Sequence, residues 1–377
     1  MKILIVRTVA TELDRTKYNI QEEGIAKEYI SLGHSCDIVF YTKGKYFSEK
    51  VLFNNVYYTV HYVPAFKIYD SAVFYRKYLY PLIENADVIV CEEYEQLQSC
   101  ILALKYPDKT VIYHGPYKSN YKKKYQLKSK MFDFFFLKKI KKRKIKFITK
   151  SNLAKRTLEE KGIKNIEVVP VGLDFNKFKN VDLDKFLLKS NDLKRINILY
   201  VGVIEDRRNI TFLIEIINKI KKLNIPVCCT IVGEGNSEYK QKCLELVSLY
   251  GLEKEILFYG KVAQKDLPQM YFQNEFFILP TKYEIYGMVI LEALLFGRIV
   301  LTTYNGGSDM LIENGVNGYI LSLDNIDDWL KTILKVYYKD VEKTKISSNA
   351  QNTAKVKGNW LNSAKLFIKY INKDDNR

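Results

Sequence analysis

Strand-like and helix-like runs alternate from the first residues onward. "KILIV" precedes a helical stretch over about 21–32 and then "GHSCDIVFYT"; "ADVIVCEE" precedes "QLQSCILALK" and then "KTVIYHGPY"; "IKFITKS" precedes "LAKRTLEEKG" and then "IEVVPVG". Apolar runs without polar alternation, separated by helices, predict a parallel sheet covered on both faces. Residues 173–195 are polar, rich in Asp, Asn and Lys, and without period, and they read as a connector. The alternation then restarts with "INILYVG", a helix over about 209–223, "VCCTIVGEG", a further helix, "ILFYG", "FFILPT", an apolar helix and "IVLTT". Two doubly wound α/β domains are predicted, over 1–172 and 196–359, with a C-terminal helix over about 360–377.

The length of 377 residues, 47% of them hydrophobic, suffices for two cores. The six cysteines have no CxxC spacing, so neither a disulfide framework nor a zinc site is expected. Without a leader or an apolar run of spanning length, the chain is expected to be neither exported nor transmembrane. The net charge of +17 is concentrated: from Lys118 to Lys146 thirteen Lys or Arg face one acid, Asp133.

In doubly wound sheets ligands bind beyond the carboxyl ends of the strands. That rule selects Thr8 to Tyr18, Glu92, His114 to Pro116, Gly202 to Asn209, Gly233 to Gly235, Gly260, Thr281 to Met288 and Asn305 to Ser308. In "EIYGMVILE", Glu284 falls in a loop above the sheet and Glu292 about a turn into an otherwise apolar helix. A carboxylate among such neighbours is costly to bury alone, so a polar ligand is expected to face it. A vicinal diol such as that of a ribose suits Glu292, and Glu284 stands where the rest of that ligand would extend. Gly287 and Met288 offer backbone N–H groups at the helix N-terminus. The plain alternative is a surface glutamate and a capping glutamate.

Arg207 and Arg208 follow the first strand of the second half, where two guanidiniums suit a diphosphate. A solvated charge run is the alternative. Gly202, Gly233 and Gly235, at strand ends, are expected to border the nucleotide pocket. His114 ends "KTVIY" and is expected to overhang a cleft, where an imidazole can bond a donor or orient an acceptor hydroxyl; a structural histidine is the alternative. His34 and His61 read as structural.

The second half resembles the retaining GT-B glycosyltransferases, in particular family 4, whose signature is a Glu, seven residues and a second Glu. It stands here as Glu284 and Glu292 in "PTKYEIYGMVILEALLFG", with "VGVIEDRRN", "IVGEG", "FYGKV" and "NGVNGYI" in order, from Ile196 to about Leu321. In the first half "SLGHSCDIVFYT", "VVPVGLDFNKF" and "YNIQEEGIAKEY" are similar to blocks of bacterial capsule and exopolysaccharide glycosyltransferases. The resemblance implies two Rossmann-like domains facing across a cleft and a retaining transfer from a nucleotide sugar, such as a UDP-sugar, to a lipid-linked or polysaccharide acceptor. It assigns the ribose to Glu292, the donor sugar to Glu284, the sugar or phosphate to the backbone at Gly287 and Met288, and the diphosphate to Arg207 and Arg208. No cofactor or metal is expected; "DLD" at Asp182 to Asp184 looks like a metal motif of the other glycosyltransferase architecture but has no strand before it. The chain departs from the family at three points: no glycine precedes Gly24, Val203 stands where an Arg is usual, and Met310 where a Glu is usual.

The basic stretch holds "MFDFFFLKKIKKRK" and is expected to dock on the anionic inner leaflet, as a cytoplasmic peripheral protein. Aromatics of the core under solvated lysines, or an anionic polysaccharide acceptor, are the alternatives. Nucleic acid is not expected, because the aromatics cluster in one block and do not interleave along the basic stretch as base-stacking platforms. The other function classes left open are a nucleotide-sugar epimerase or hydrolase of the same architecture and a non-catalytic basic membrane-binding protein.

Overall fold

Unbroken apolar runs become strands buried on both faces, and the polar segments between them become helices and turns. The computed structural model describes residues 1–13, 15, 20–68, 72–75, 77–178, 181–188 and 195–373. Two units emerge, Met1–Asp174 with Asn359–Arg377, and Phe175–Gly358.

The first unit runs β1 (Lys2–Val6), α1 (Gln21–Ser31), β2 (Ser35–Thr42), β3 (Phe47–Phe53), β4 (Val56–Ile68), β5 (Ala72–Tyr75), α2 (Leu79–Glu84), β6 (Val88–Glu92), α3 (Leu97–Lys105) and β7 (Thr110–His114). It continues with α4 (Lys123–Phe132), a π-helical turn at Asp133–Leu137, α5 (Lys138–Lys142), β8 (Lys146–Thr149), α6 (Asn152–Glu160) and β9 (Ile166–Val168). The sheet order is β3-β4-β2-β1-β6-β7-β8-β9, with β5 also on β4. All pairs are parallel except β3 with β4 and β5 with β4. This antiparallel flank is absent from the strand runs predicted above. Its turn is marked by Asn54 and Asn55, at φ 49° and 62°, two successive left-handed residues of the kind that close a tight hairpin.

The C-terminal helix, Trp360–Asn372, belongs to this unit. Phe367 packs on Tyr29 of α1 with ring centroids 5.1 Å apart. The Trp360 indole lies so close to α1 that a Cβ on Gly24 would come within 2.2 Å of its Nε1.

The second unit runs β10 (Ile196–Val201), α7 (Ile210–Lys222), β11 (Val227–Val232), α8 (Ser237–Leu249), β12 (Ile256–Gly260), α9 (Leu267–Phe272), β13 (Phe276–Leu279), α10 (Met288–Leu295), β14 (Ile299–Thr302), α11 (Gly306–Leu311), β15 (Gly318–Ile320), α12 (Ile326–Tyr337) and α13 (Asp340–Lys357). Its sheet is parallel, in the order β12-β11-β10-β13-β14-β15. That is the 3-2-1-4-5-6 order of a dinucleotide-binding sheet, and it reverses between β10 and β13. In the first unit the reversal falls between β1 and β6.

The described part of the expected connector is not a free linker. Phe186 packs on Phe296 and Phe272, and Phe178 on Phe296. The buried Arg298 guanidinium donates to the carbonyls of Phe186, Phe296 and Asn274, which replaces the water it would otherwise hold. Residues 179–180 and 189–194 of that stretch lie outside the described residues.

Candidate functional site

The loops at the switch point of the second sheet follow β10 and β13, and they bring three of the sequence-selected side chains together. Glu284 is 9% exposed. Its Oε2 accepts from Nη1 of Arg208 and, at 3.3 Å, from Nη1 of Arg207. Arg207 also donates to the carbonyl of Tyr283 at 2.9 Å and, through Nη2 and Nε, to Glu205 at 2.6 and 3.0 Å. Burial works to lower the Arg207 pKa, but Glu284 and Glu205 outweigh it and hold the group above its ordinary value. The Nε of Arg208 is buried and has no hydrogen-bond partner, an open donor beside the carboxylate. Sequence reads the two guanidiniums as suited to a diphosphate; the structure pairs both with Glu284, because a carboxylate this buried requires a counter-charge.

The Glu284 loop is clamped from its own unit. The Arg207 carbonyl accepts from the Lys282 amide at 2.8 Å and from the Thr281 hydroxyl at 3.1 Å. On the other side the Gly306 amide donates to the Glu284 carbonyl at 3.0 Å. Only glycine fits there: a Cβ on Gly306 would stand 1.9 Å from the Ile285 carbonyl oxygen, and one on Gly307 1.6 Å from that of Tyr286. The N-terminus of α11 is closed by Asn305, whose Oδ1 accepts from the Gly307 and Ser308 amides while Ser308 Oγ accepts from the Asn305 amide. Asn305 to Ser308 therefore brace the loop.

Helix α10 starts differently. Gly287, at φ 74°, is its N-cap, and no side chain caps the helix. The N–H groups from Met288 onward thus start a helix beside Glu284 with the positive end of its dipole uncapped. One turn on, Glu292 is 7% exposed, and Oε2 accepts from the Tyr271 hydroxyl at 3.2 Å. Tyr271 is itself buried, and burial together with Glu292 raises its pKa.

Gly202, Gly233 and Gly235 have a packing reason of their own. A Cβ on Gly233 would lie 1.9 Å from the Gly202 carbonyl oxygen, and one on Gly235 2.1 Å from that of Ile204, so the loops after β10 and β11 lie backbone to backbone.

In the first unit His114 ends β7 as expected, but it does not overhang open space: it is fully buried. Nδ1 stands 3.3 Å from the Tyr94 amide, 3.3 Å from Glu93 Oε2 and 3.6 Å from Glu95 Oε2, and Nε2 is buried without a partner. Burial works to lower the His114 pKa, and the Glu95 and Glu93 carboxylates outweigh it, raising it above the usual value.

The group that faces open volume lies at the switch point between β1 and β6. A cavity of about 340 Å³ is lined there by Arg7, Glu22, Glu92, Glu93 and Lys150, among others. Arg7 Nη1 donates to Glu22 Oε1 at 2.6 Å. Burial, with Glu22 adding to it, pushes the Glu92 carboxyl up to about 7. Burial works in the same direction on Glu22, but Arg7 outweighs it and keeps that carboxylate below its usual range. Arg7, Glu22, Glu93 and Lys150 were not singled out from sequence, although the reversal of strand order marks the place. Of the selected first loop, residue 14 and residues 16–18 lie outside the described residues.

The basic stretch splits in two. Phe132 is buried and packs on Phe136 and Tyr94, and Phe136 and Leu137 lie against the core. Phe134 is 83% and Phe135 56% exposed, with Met131 and Leu127 also exposed. The π-helical turn makes this possible: one extra residue turns Asp133 inward to Lys161, at 2.7 Å, while Phe134 and Phe135 face out. No helix among the described residues is long and apolar enough to cross a membrane.

Residues 184–353 match the family described as Glycosyl transferases group 1, and residues 23–177 the family described as Glycosyltransferase Family 4. The chain is 23% identical over 224 residues to mannosylfructose-phosphate synthase of Agrobacterium fabrum, covering 57% of this chain and 49% of that protein. It is 23% identical over 232 residues to the lipopolysaccharide 1,2-N-acetylglucosaminetransferase of Salmonella typhimurium, covering 59% and 60%. It spans about half the length of the first curated relatives it matches. Among solved structures, Anabaena HepE in complex with UDP and glucose aligns with a TM-score of 0.71 at 17% identity, covering 99% of this chain and 100% of that one. The fold is GT-B.

Proposed function

The chain belongs to the group 1 and family 4 glycosyltransferases, and from this we propose that it moves a hexosyl group from a UDP-sugar to a lipid-linked or polysaccharide acceptor, with retention, in cell-surface polysaccharide synthesis. The observation that carries the reading is the convergence of Arg207, Arg208 and Glu284 at the second switch point, with Glu292 one turn into the adjoining helix. A nucleotide sugar presents two polyols separated by a diphosphate. Glu292 takes the ribose diol. The open Nε of Arg208, the Arg207 guanidinium and the uncapped start of α10 take the diphosphate, which loosens the hold of both arginines on Glu284. Glu284 then accepts from the hydroxyls of the hexose.

In the transfer the bond between the anomeric carbon and the diphosphate oxygen breaks, and the acceptor oxygen bonds to the same face. The acceptor's proton passes to the departing phosphate, whose negative charge the two guanidiniums stabilise. Arginine charge serves here without a metal. The relatives support the acceptor class: one is a lipopolysaccharide N-acetylglucosaminetransferase. The exposed pair Phe134 and Phe135, next to the lysines of α5, supports a cytoplasmic protein held peripherally on the anionic inner leaflet.

Turnover of nucleotide sugars with and without acceptor tests the reading, after a thermal-shift screen of nucleoside diphosphates and nucleotide sugars has found the donor. Acceptor-dependent release of UDP is expected. Acceptor-independent turnover would make the chain an epimerase or hydrolase of this architecture, and no turnover with intact vesicle binding would make it a non-catalytic membrane binder.

A further inference from the structure

The first sheet has a second populated edge. At the amino ends of β8 and β9, opposite the edge that bears His114 and Lys150, lies a cavity of about 910 Å³. Five lysines line it, Lys141, Lys144, Lys146, Lys164 and Lys373, against one carboxylate, Glu167. Its floor is apolar: Ile140, Ile145, Ile163, Ile166 and Phe147 are all buried. We propose that this amino-edge cavity is a binding site for a phosphate group carried on an organic alcohol. The inference does not depend on the transfer reaction or on the second unit.

Three of the lysines are committed within the fold. Lys146 Nζ donates to the Ile371 carbonyl at 3.0 Å, Lys141 Nζ to the Lys161 carbonyl at 3.3 Å, and Lys373 stands 3.8 Å from Glu167. Among the described residues the ammonium groups of Lys144 and Lys164 have neither an ion pair nor a hydrogen bond. Helices α5 and α6 end at this edge, and their two C-terminal dipoles answer to about one positive charge in all. Five ammonium groups exceed that and Glu167 together, so the cavity keeps a surplus of positive charge at its mouth. Its rim is fixed, because the Tyr370 hydroxyl donates to the Asn165 carbonyl at 2.5 Å and accepts from the Phe147 amide at 3.3 Å, holding the C-terminal helix against the edge. Compact ammonium charges over an apolar floor, in a volume of small-ligand size, suit a phosphate ester better than a bare ion: the phosphate meets the lysines and the alcohol lies on the isoleucines.

The phosphate can come from a soluble ester or from a phospholipid headgroup, and the test separates them. The full chain and its Lys144→Glu/Lys164→Glu variant are titrated with sn-glycerol 3-phosphate by calorimetry at low salt, and sedimented with vesicles of phosphatidylglycerol in phosphatidylcholine. A Lys138→Glu/Lys142→Glu variant makes the same change of net charge at exposed positions of the basic stretch outside the cavity. Saturable binding of glycerol phosphate that falls about tenfold or more only in the cavity variant supports a soluble ligand. Vesicle binding that falls to that extent only in the cavity variant, with no heat from glycerol phosphate, supports a lipid headgroup. Equal loss in the control variant, or no change in either assay for the cavity variant, overturns the site. Circular dichroism and melting temperature confirm that all three proteins are folded.

Discussion

Arg208 and Glu284 are paired across the switch point of the second sheet, Nη1 to Oε2, and Arg207 reaches the same oxygen at 3.3 Å. One buried carboxylate thus gathers both cations that the proposed reaction needs. In the proposed reaction a diphosphate competes with Glu284 for them, which makes the release of Glu284 and the seating of the diphosphate one event.

The first prediction follows from that competition. Glu284→Gln releases both arginines from this carboxylate, Arg207 keeping Glu205, and removes the charge that the proposed reading sets against the hexose. Turnover is expected to fall by about 10²–10³, as for the loss of one positioned polar group at a reacting centre. UDP affinity, measured by calorimetry, is expected to hold or to rise. A fall in UDP affinity matching the fall in rate would remove Glu284 from the sugar.

Arg207→Ala and Arg208→Ala test the diphosphate. Each removes a charge-assisted donor worth about 1.5–3 kcal/mol, so UDP is expected to weaken by roughly tenfold or more while uridine is unchanged. Glu292→Ala is expected to weaken both ligands to the same degree, because each carries the ribose. If uridine ignores Glu292, the ribose assignment fails.

Glu92 sets a dependence of stability on pH. Its carboxyl is pushed up to about 7 in the fold, from an unfolded value near 4.5. Between those values the native state holds a proton that the unfolded chain has lost, so this group's contribution to stability falls as pH rises from about 4.5 to 7 and is level above. Glu92→Gln removes that term. Urea melts at pH 5 and pH 7.5 are expected to show a gain in stability relative to the parent that is larger at the higher pH; equal differences at both would return Glu92 to an ordinary carboxyl.

The exposed aromatics separate docking from folding. Phe134→Ala/Phe135→Ala is expected to keep the melting temperature and to lose sedimentation with anionic vesicles. Phe132→Ala, in the core, is expected to cost about 3–5 kcal/mol of stability. Charge reversal of Lys138, Lys139, Lys141 and Lys142 is expected to abolish binding and its salt dependence, each lysine contributing about 1 kcal/mol at an anionic surface. Undiminished binding in both surface variants would sink the docking proposal.

What could be read from the chain depended on whether the deciding contact was local. Parallel strands buried on both faces are written as unbroken apolar runs, so both doubly wound sheets were legible, and the strand-end rule located Glu284, Arg207 and Arg208. That Glu284 holds both arginines was not legible, because residues 207 and 284 meet only through strand order. His114 was placed at its strand end, yet the carboxylates beside its ring, Glu93 and Glu95, lie on the neighbouring strand's loop. Arg7, Glu22 and Glu92 likewise meet only once β1 and β6 are adjacent. The hairpin of β3 and β4 does carry a local signal, the Asn54-Asn55 pair between two strand-forming runs. Phe132 and Phe134 look alike in sequence; a π-helical turn sends one inward and the other out.

The Trp360 indole packed on Gly24 has a consequence for biogenesis. The first unit needs Trp360–Asn372 to cover α1, and ribosomes add about 5–20 residues per second. The opening strands and α1 therefore wait, with the apolar ground for Trp360 and Phe367 uncovered, while the whole second unit is being synthesised. The half that emerges first is thus completed last, after the whole of the second unit.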